Sequence, residues 1–161
     1  MKNIYILFLL GVVVTTLSCE DGNKNYTEEF DSVYYYLKEG VNEFDFYSVN
    51  SAKVQTITVG RGGHGLNGVS TINLVPFTQA EMDEYNATID GDYKLLAPEY
   101  YDMPATVAFE DGVEYRNVDV VFKGNMSELA KTGEYMLPIR LEADNGTVND
   151  NKNIIYFKPN I

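Results

Sequence analysis

The chain is poor in the residues from which most active sites are built. It has one cysteine, one histidine and no tryptophan among 161 residues. A lone cysteine, Cys19, excludes an internal disulfide. A lone histidine, His64, leaves no ligand set for zinc, which wants several His or Cys. No G-x-S-x-G elbow accompanies His64, so a serine triad has no support. The lack of tryptophan weighs against a strong lectin platform. Positive charge is scarce as well: 12 Lys and Arg stand against 24 Asp and Glu, a formal charge of −12. Such a surface repels phosphate backbones and anionic lipid, so no nucleic-acid partner is expected. Nothing selects two glycosidase carboxylates from 24 acids. No enzyme activity, cofactor or metal is expected. The apolar run over residues 4–14 is shorter than the roughly 20 residues a membrane-spanning helix needs.

That run is nevertheless informative. Lys2 precedes it; Thr15, Thr16, Leu17 and Ser18 follow, then Cys19 and the acidic pair Glu20-Asp21. With no basic stop-transfer cluster, the pattern reads as a secretory signal. An unpaired cysteine in an exported chain wants an explanation. Cys19 behind the small Ser18 resembles the lipidation site of bacterial lipoproteins, although Thr16 stands where leucine is usual. The resemblance implies acylation of Cys19 by two or three chains. At about 0.8 kcal/mol per buried methylene, two chains anchor stably where one does not. Glu20-Asp21 resembles the surface-export signal of Bacteroidetes lipoproteins. The expected organisation is a signal peptide over 1–18, a lipidated tether over 19–30 and one domain over 31–161. The expected location is the outer membrane, lipid-anchored and facing outside the cell. The mature 143 residues carry 11 basic and 24 acidic side chains, a formal charge of −13.

Period-two alternation dominates the domain. Val33, Tyr35 and Leu37 share one side of a first strand, with Tyr35 expected in the core. Phe44 and Phe46 alternate with Glu43 and Asp45. Residues 53–59 and 70–75 read as strands. Val107 and Phe109 follow; then Val118, Val120 and Phe122; then Tyr135, Leu137, Ile139 and Leu141; then Ile155 and Phe157. About eight half-buried strands with turns between them imply an all-β sandwich. Pro138 cannot donate to a ladder, so its strand is expected at an edge or at a bulge. Asp111-Gly112 is a hairpin signal and Asn145-Gly146 a turn signal. One helix interrupts the strands. Thr78-Gln79-Ala80-Glu81 is a capping box, with Phe77 and Met82 at the staple positions. The helix is expected over 79–86, ending near Asn86. A short helical turn is expected around 126–131.

From the helix onward the order is recognisable. It runs Glu84-Tyr85-Asn86, Tyr93-Lys94-Leu95-Leu96-Ala97-Pro98-Glu99-Tyr100-Tyr101, Val107-Ala108-Phe109-Glu110-Asp111-Gly112 and Tyr135-Met136-Leu137-Pro138-Ile139-Arg140-Leu141. This resembles the immunoglobulin-like N-terminal domain of unknown function in surface lipoproteins of gut Bacteroidetes. That domain often precedes glycan-active or adhesive modules. The resemblance implies an immunoglobulin-like β-sandwich with one short helix, and it carries over no catalytic residue. Ala97-Pro98 departs from the more usual Leu-Pro. The sequence ends after the last strand, so no second module is expected.

Candidate ligand contacts are few. Gly60-Arg61-Gly62-Gly63-His64-Gly65 matches G-x-G-x-x-G, but a strand follows it, where a dinucleotide site needs a helix. It reads as a loop whose exposed Arg61 and His64 are placed to touch a ligand. Tyr34 and Tyr36 share a strand face, either exposed or covered by a second element; with Tyr100 and Tyr101 they are the aromatic candidates for a sugar platform. The expected function is adhesion or binding, of a glycan or of a protein in a glycan-capture assembly. The alternative is a structural spacer that makes protein contacts only.

Overall fold

The computed structural model describes residues 32–46, 52–63, 66 and 68–161. Eleven strands and one helix occur among them, in the order β1 (Val33–Tyr36), β2 (Gly40–Asp45), β3 (Lys53–Gly62), β4 (Ser70–Pro76), α1 (Gln79–Ile89), β5 (Lys94–Leu95), β6 (Tyr101–Asp102), β7 (Thr106–Phe109), β8 (Tyr115–Phe122), β9 (Tyr135–Ala143), β10 (Thr147–Val148) and β11 (Ile154–Asn160). They form two sheets. One has the order β10-β1-β3-β8-β6; the other runs β2-β11-β9-β4-β7, with β5 also paired to β9. The expected immunoglobulin-like all-β sandwich with a single short helix is what the chain adopts.

The inner faces meet in an aromatic and aliphatic core. Phe122 of the first sheet packs on Phe44 and Phe157 of the second, with centroids 4.6 and 5.4 Å apart. Tyr34 crosses similarly to Phe109 at 5.7 Å. Each such fully buried apolar side chain contributes about 1.5–3 kcal/mol over leaving it exposed.

Four expectations are corrected. Tyr34 and Tyr36, not Tyr35, point inward on β1, at 1% and 0% exposure; Leu37, expected on the inner side, is exposed. Adjacent tyrosines carry little difference in polarity, so alternation alone did not fix which face is buried. β9 is central, not an edge. Its register pairs Pro138 with Tyr156, and Phe77 N donates to the Pro138 carbonyl at 3.1 Å. The missing proline N–H faces the same side, where β4 has ended and β5 takes over along β9. Asp111-Gly112 does not close a hairpin. β7 and β8 lie in different sheets, so this turn carries the chain across. The helix continues past Asn86 to Ile89, and Asp90 caps it at φ 52°. Asn86 instead clips the outgoing chain, donating to Tyr93 O at 2.7 Å and accepting from Tyr93 N at 3.0 Å.

The capping box itself is present: Thr78 Oγ1 accepts from Glu81 N, and Glu81 Oε2 accepts from Thr78 N. Met82 is buried, and Tyr85 stacks on Tyr156 of β11 at 4.7 Å. Arg140 on β9 donates to Glu81 and Glu142, tying the start of α1 to the sheet. The expected turn near 126–131 is a 3₁₀ turn over Leu129–Lys131.

Candidate functional site

The sheet opposite α1 leaves its outer face to solvent. On β3 the inward positions Ile57, Val59 and Arg61 are buried; on β8 they are Val118, Val120 and Phe122. The alternate positions therefore face out. Val54, Thr56, Tyr115, Asn117 and Asp119 are exposed on that face. The register places Tyr35 opposite Gly60 and Gly60 opposite Tyr115, so the three form one row across β1, β3 and β8.

Within that row the Tyr35 ring lies flat over the glycine. A Cβ added to Gly60 would stand 2.6 Å from Tyr35 Cζ, and one on Gly62 3.5 Å from Tyr35 Cε1. A side chain at Gly60 would displace the ring, so the bare backbone is what lets it lie down. The Tyr35 hydroxyl interacts with that of Tyr115. That interaction, followed by partial burial, raises the Tyr35 pKa above its ordinary value of 10.0. The result is a shelf with two phenols in one row at one end of the open face.

Polar pairs continue from the shelf. Thr58 Oγ1 donates to Asn117 Oδ1 at 2.8 Å, and Thr56 Oγ1 donates to Asp119 Oδ1 at 2.6 Å. Each threonine holds its partner while leaving the Asn117 amide N–H donors and the second Asp119 oxygen facing solvent. An aromatic surface flanked by a fixed donor and a fixed acceptor suits a polyhydroxylated ring.

The residues nominated from sequence are distributed differently. Tyr34 and Tyr36 are core, and burial pushes the Tyr36 pKa upward. They offer no surface to a ligand. Arg61 is not at an exposed loop tip. It is the next-to-last residue of β3, is 1% exposed, and lies over the Phe109 ring at 5.5 Å. Its guanidinium donates to Gly68 O, Ser70 Oγ, Leu66 O and Glu110 O at 3.0, 3.1, 2.5 and 3.0 Å. The charge is spent on pinning backbone carbonyls, so Arg61 is a clamp and not a ligand contact. Tyr100 and Tyr101 are half-buried against the core. Tyr101 pairs with Phe122 on the far edge of β8, away from the shelf, and burial raises its pKa. Cys19 and His64 lie outside the described residues. Tyr35 and Tyr115 were missed. Gly60 and Gly62 were the available signal, because glycine within a strand marks a close approach.

Among the described residues, no group of three or more His, Cys, Asp and Glu is placed to hold a metal ion. No helix there is long and apolar enough to cross a membrane.

The model of a family of N-terminal domains matches residues 20–148. The chain belongs to that family. No curated protein matches it. Solved structures similar in fold include a Bacteroides ovatus protein proposed to bind carbohydrate, at 17% identity and TM-score 0.64, covering 78% of this chain and 36% of that one. A second B. ovatus protein, of unknown function, has 17% identity and TM-score 0.63 over 78% and 43%. A third is Bacteroides thetaiotamicron EndoBT-3987 with a Man5GlcNAc product, at 9% identity and TM-score 0.53 over 74% and 28%. The chain thus spans less than half the length of each of these proteins. At such identities the likeness shows the fold.

Proposed function

We propose that this chain is a non-catalytic binding module that stacks a sugar ring of a glycan on Tyr35 beside Tyr115. One observation carries the assignment: Tyr35 is laid flat over Gly60, on a solvent-facing sheet surface, in one row with Tyr115. A ring held this way presents an apolar face to the C–H face of a sugar and keeps its polar tip in place. Little ordering cost remains at binding, because neighbouring groups already fix the phenols. Support of a weaker kind comes from the similar folds, one of them in a protein proposed to bind carbohydrate. We further propose, from sequence, that an acylated Cys19 holds the module at the outer membrane facing outward.

The test is a glycan array followed by calorimetry on residues 20–161, repeated with Tyr35→Ala and Tyr115→Ala. Binding of a glycan that weakens several-fold in each variant is expected. No binding to any glycan, or binding indifferent to both changes, overturns the assignment. Metabolic labelling with a fatty-acid analogue tests the anchor: the full-length protein takes up label and Cys19→Ala does not.

A further inference from the structure

A second surface, next to the polar pairs that flank the shelf, lies at the seam between the sheets. β1 pairs with β3 only along Val59–Gly62. The last bond on that side runs from Leu37 N to Thr58 O at 3.0 Å, and the chain then crosses to the other sheet as β2. Backbone groups alternate in direction along a strand. Thr58 bonds toward β1, so Thr56 and Val54 aim their N–H and C=O groups to the same side. Among the described residues no strand pairs with them there.

Beside this free stretch a cavity of about 210 Å³ opens, its apolar lining supplied by Ile57, Ile155 and Phe157. Leu37 stands at the cavity and is 56% exposed. An exposed aliphatic side chain beside an unpaired strand and an apolar cavity marks an interaction surface. Charge identifies what suits it. Lys38 lines the cavity and Lys53 begins β3 at the other end of the free stretch. Neither has an ion-pair partner among the described residues, in a chain of net charge −12. Two copies paired through this edge would bring like charges together, a device that keeps edges apart. Peptide backbone is the chemistry that matches alternating N–H and C=O groups, and pockets for alternate side chains give such pairing its specificity.

We propose that the seam takes an extended, acidic polypeptide segment of a partner protein. The segment adds to the free stretch of β3 past the end of β1 and seats an apolar side chain in the cavity. Its carboxylates pair with Lys38 and Lys53.

Hydrogen exchange and amide shifts of residues 20–161, titrated with a synthetic peptide alternating Glu with Val and Leu, test this. The control peptide carries Lys in place of Glu. The acidic peptide is expected to protect the amides of Val54 and Thr56, with the control at least tenfold weaker. The double change Lys38→Glu, Lys53→Glu reverses that preference. Val54→Pro removes an outward N–H that takes no part in the ladder with β8, so it is expected to fold, as a melt checks, and to lose the peptide. Unchanged exchange at millimolar peptide, equal binding of both peptides, or indifference to the double charge change overturns the proposal. The lysine pair keeps the test decisive should Val54→Pro fail to fold.

Discussion

Tyr35 rests on the backbone of Gly60, close enough that a Cβ there would stand 2.6 Å from the ring. The contact explains two glycines of a motif whose pattern suggests phosphate binding. Gly60 and Gly62 make room for a phenol, and the next described element is a strand, β4. It also supplies a way to spoil the shelf while keeping both tyrosines.

Gly60→Ala is expected to lift the Tyr35 ring off the sheet. Because the obstructing atoms belong to a side chain that can swing away, the stability cost is expected at about 1 kcal/mol. Glycan affinity should fall as far as in Tyr35→Ala. Calorimetric binding beside a thermal melt separates the two effects. A variant that retains full affinity removes the flat ring from the argument.

Arg61→Met should be among the most damaging changes in the domain. It leaves the carbonyls of Leu66, Gly68 and Glu110 without their charged donor. A loss of about 3 kcal/mol is expected, since hydrogen bonds to charged groups contribute about 1.5–3 kcal/mol each and water will replace some of them. Denaturant unfolding gives the size. Hydrogen exchange should quicken first at Gly68 and Gly112, whose amides bond Asp111 and Leu66.

Tyr36→Phe should stabilise the protein. The hydroxyl is buried and has no hydrogen-bond partner, and burial raises its pKa. Removing an unsatisfied buried polar group of this kind is expected to add up to about 1 kcal/mol. The midpoint of urea unfolding should rise with an unchanged slope. A fall would show that the hydroxyl has a partner in solution.

Stability should decline in acid partly through Glu81. Its backbone bond from Thr78, then its bond to Arg140, hold its pKa near 2, below the ordinary 4.5. The folded state therefore takes up this proton less readily than the unfolded chain. The stabilisation is complete above about pH 4.5 and fades as pH falls toward 2. Unfolding free energies measured across that window should slope less steeply in Glu81→Gln than in the parent. Equal slopes would place the acid sensitivity elsewhere. Thr78→Ala, which removes the cap, should cost about 1 kcal/mol at neutral pH.

Much of the architecture was legible because one chemistry repeats along the chain. Val118-Asp119-Val120 reads as a strand in any setting, since only one of its faces tolerates burial. The start of α1 was legible for a local reason as well: Thr78 and Glu81 satisfy each other's amides without help from the rest of the fold. Tyr34-Tyr35-Tyr36 was not legible in the same way. Three identical side chains give alternation no polarity, and the inner face was chosen by Phe109 meeting Tyr34 across the sandwich. Arg61 misled for a related reason. A cation among glycines suggests an exposed tip, and only the return of Leu66, Gly68 and Glu110 around it supplies the carbonyls that permit burial.

The order of residues alone settled that this is an alternating, strand-rich, acidic domain with one capped helix, because those properties depend on near neighbours. Which strands are central, which tyrosines meet solvent and where β3 is left unpaired were decided by contacts between residues distant along the chain. Pro138 shows the difference. Its lost N–H is a local fact, but its tolerance inside a sheet depends on β4 ending and β5 beginning beside it. The shelf is of the same kind: Tyr35, Gly60 and Tyr115 are remote in sequence, and only the register of three strands makes them one surface.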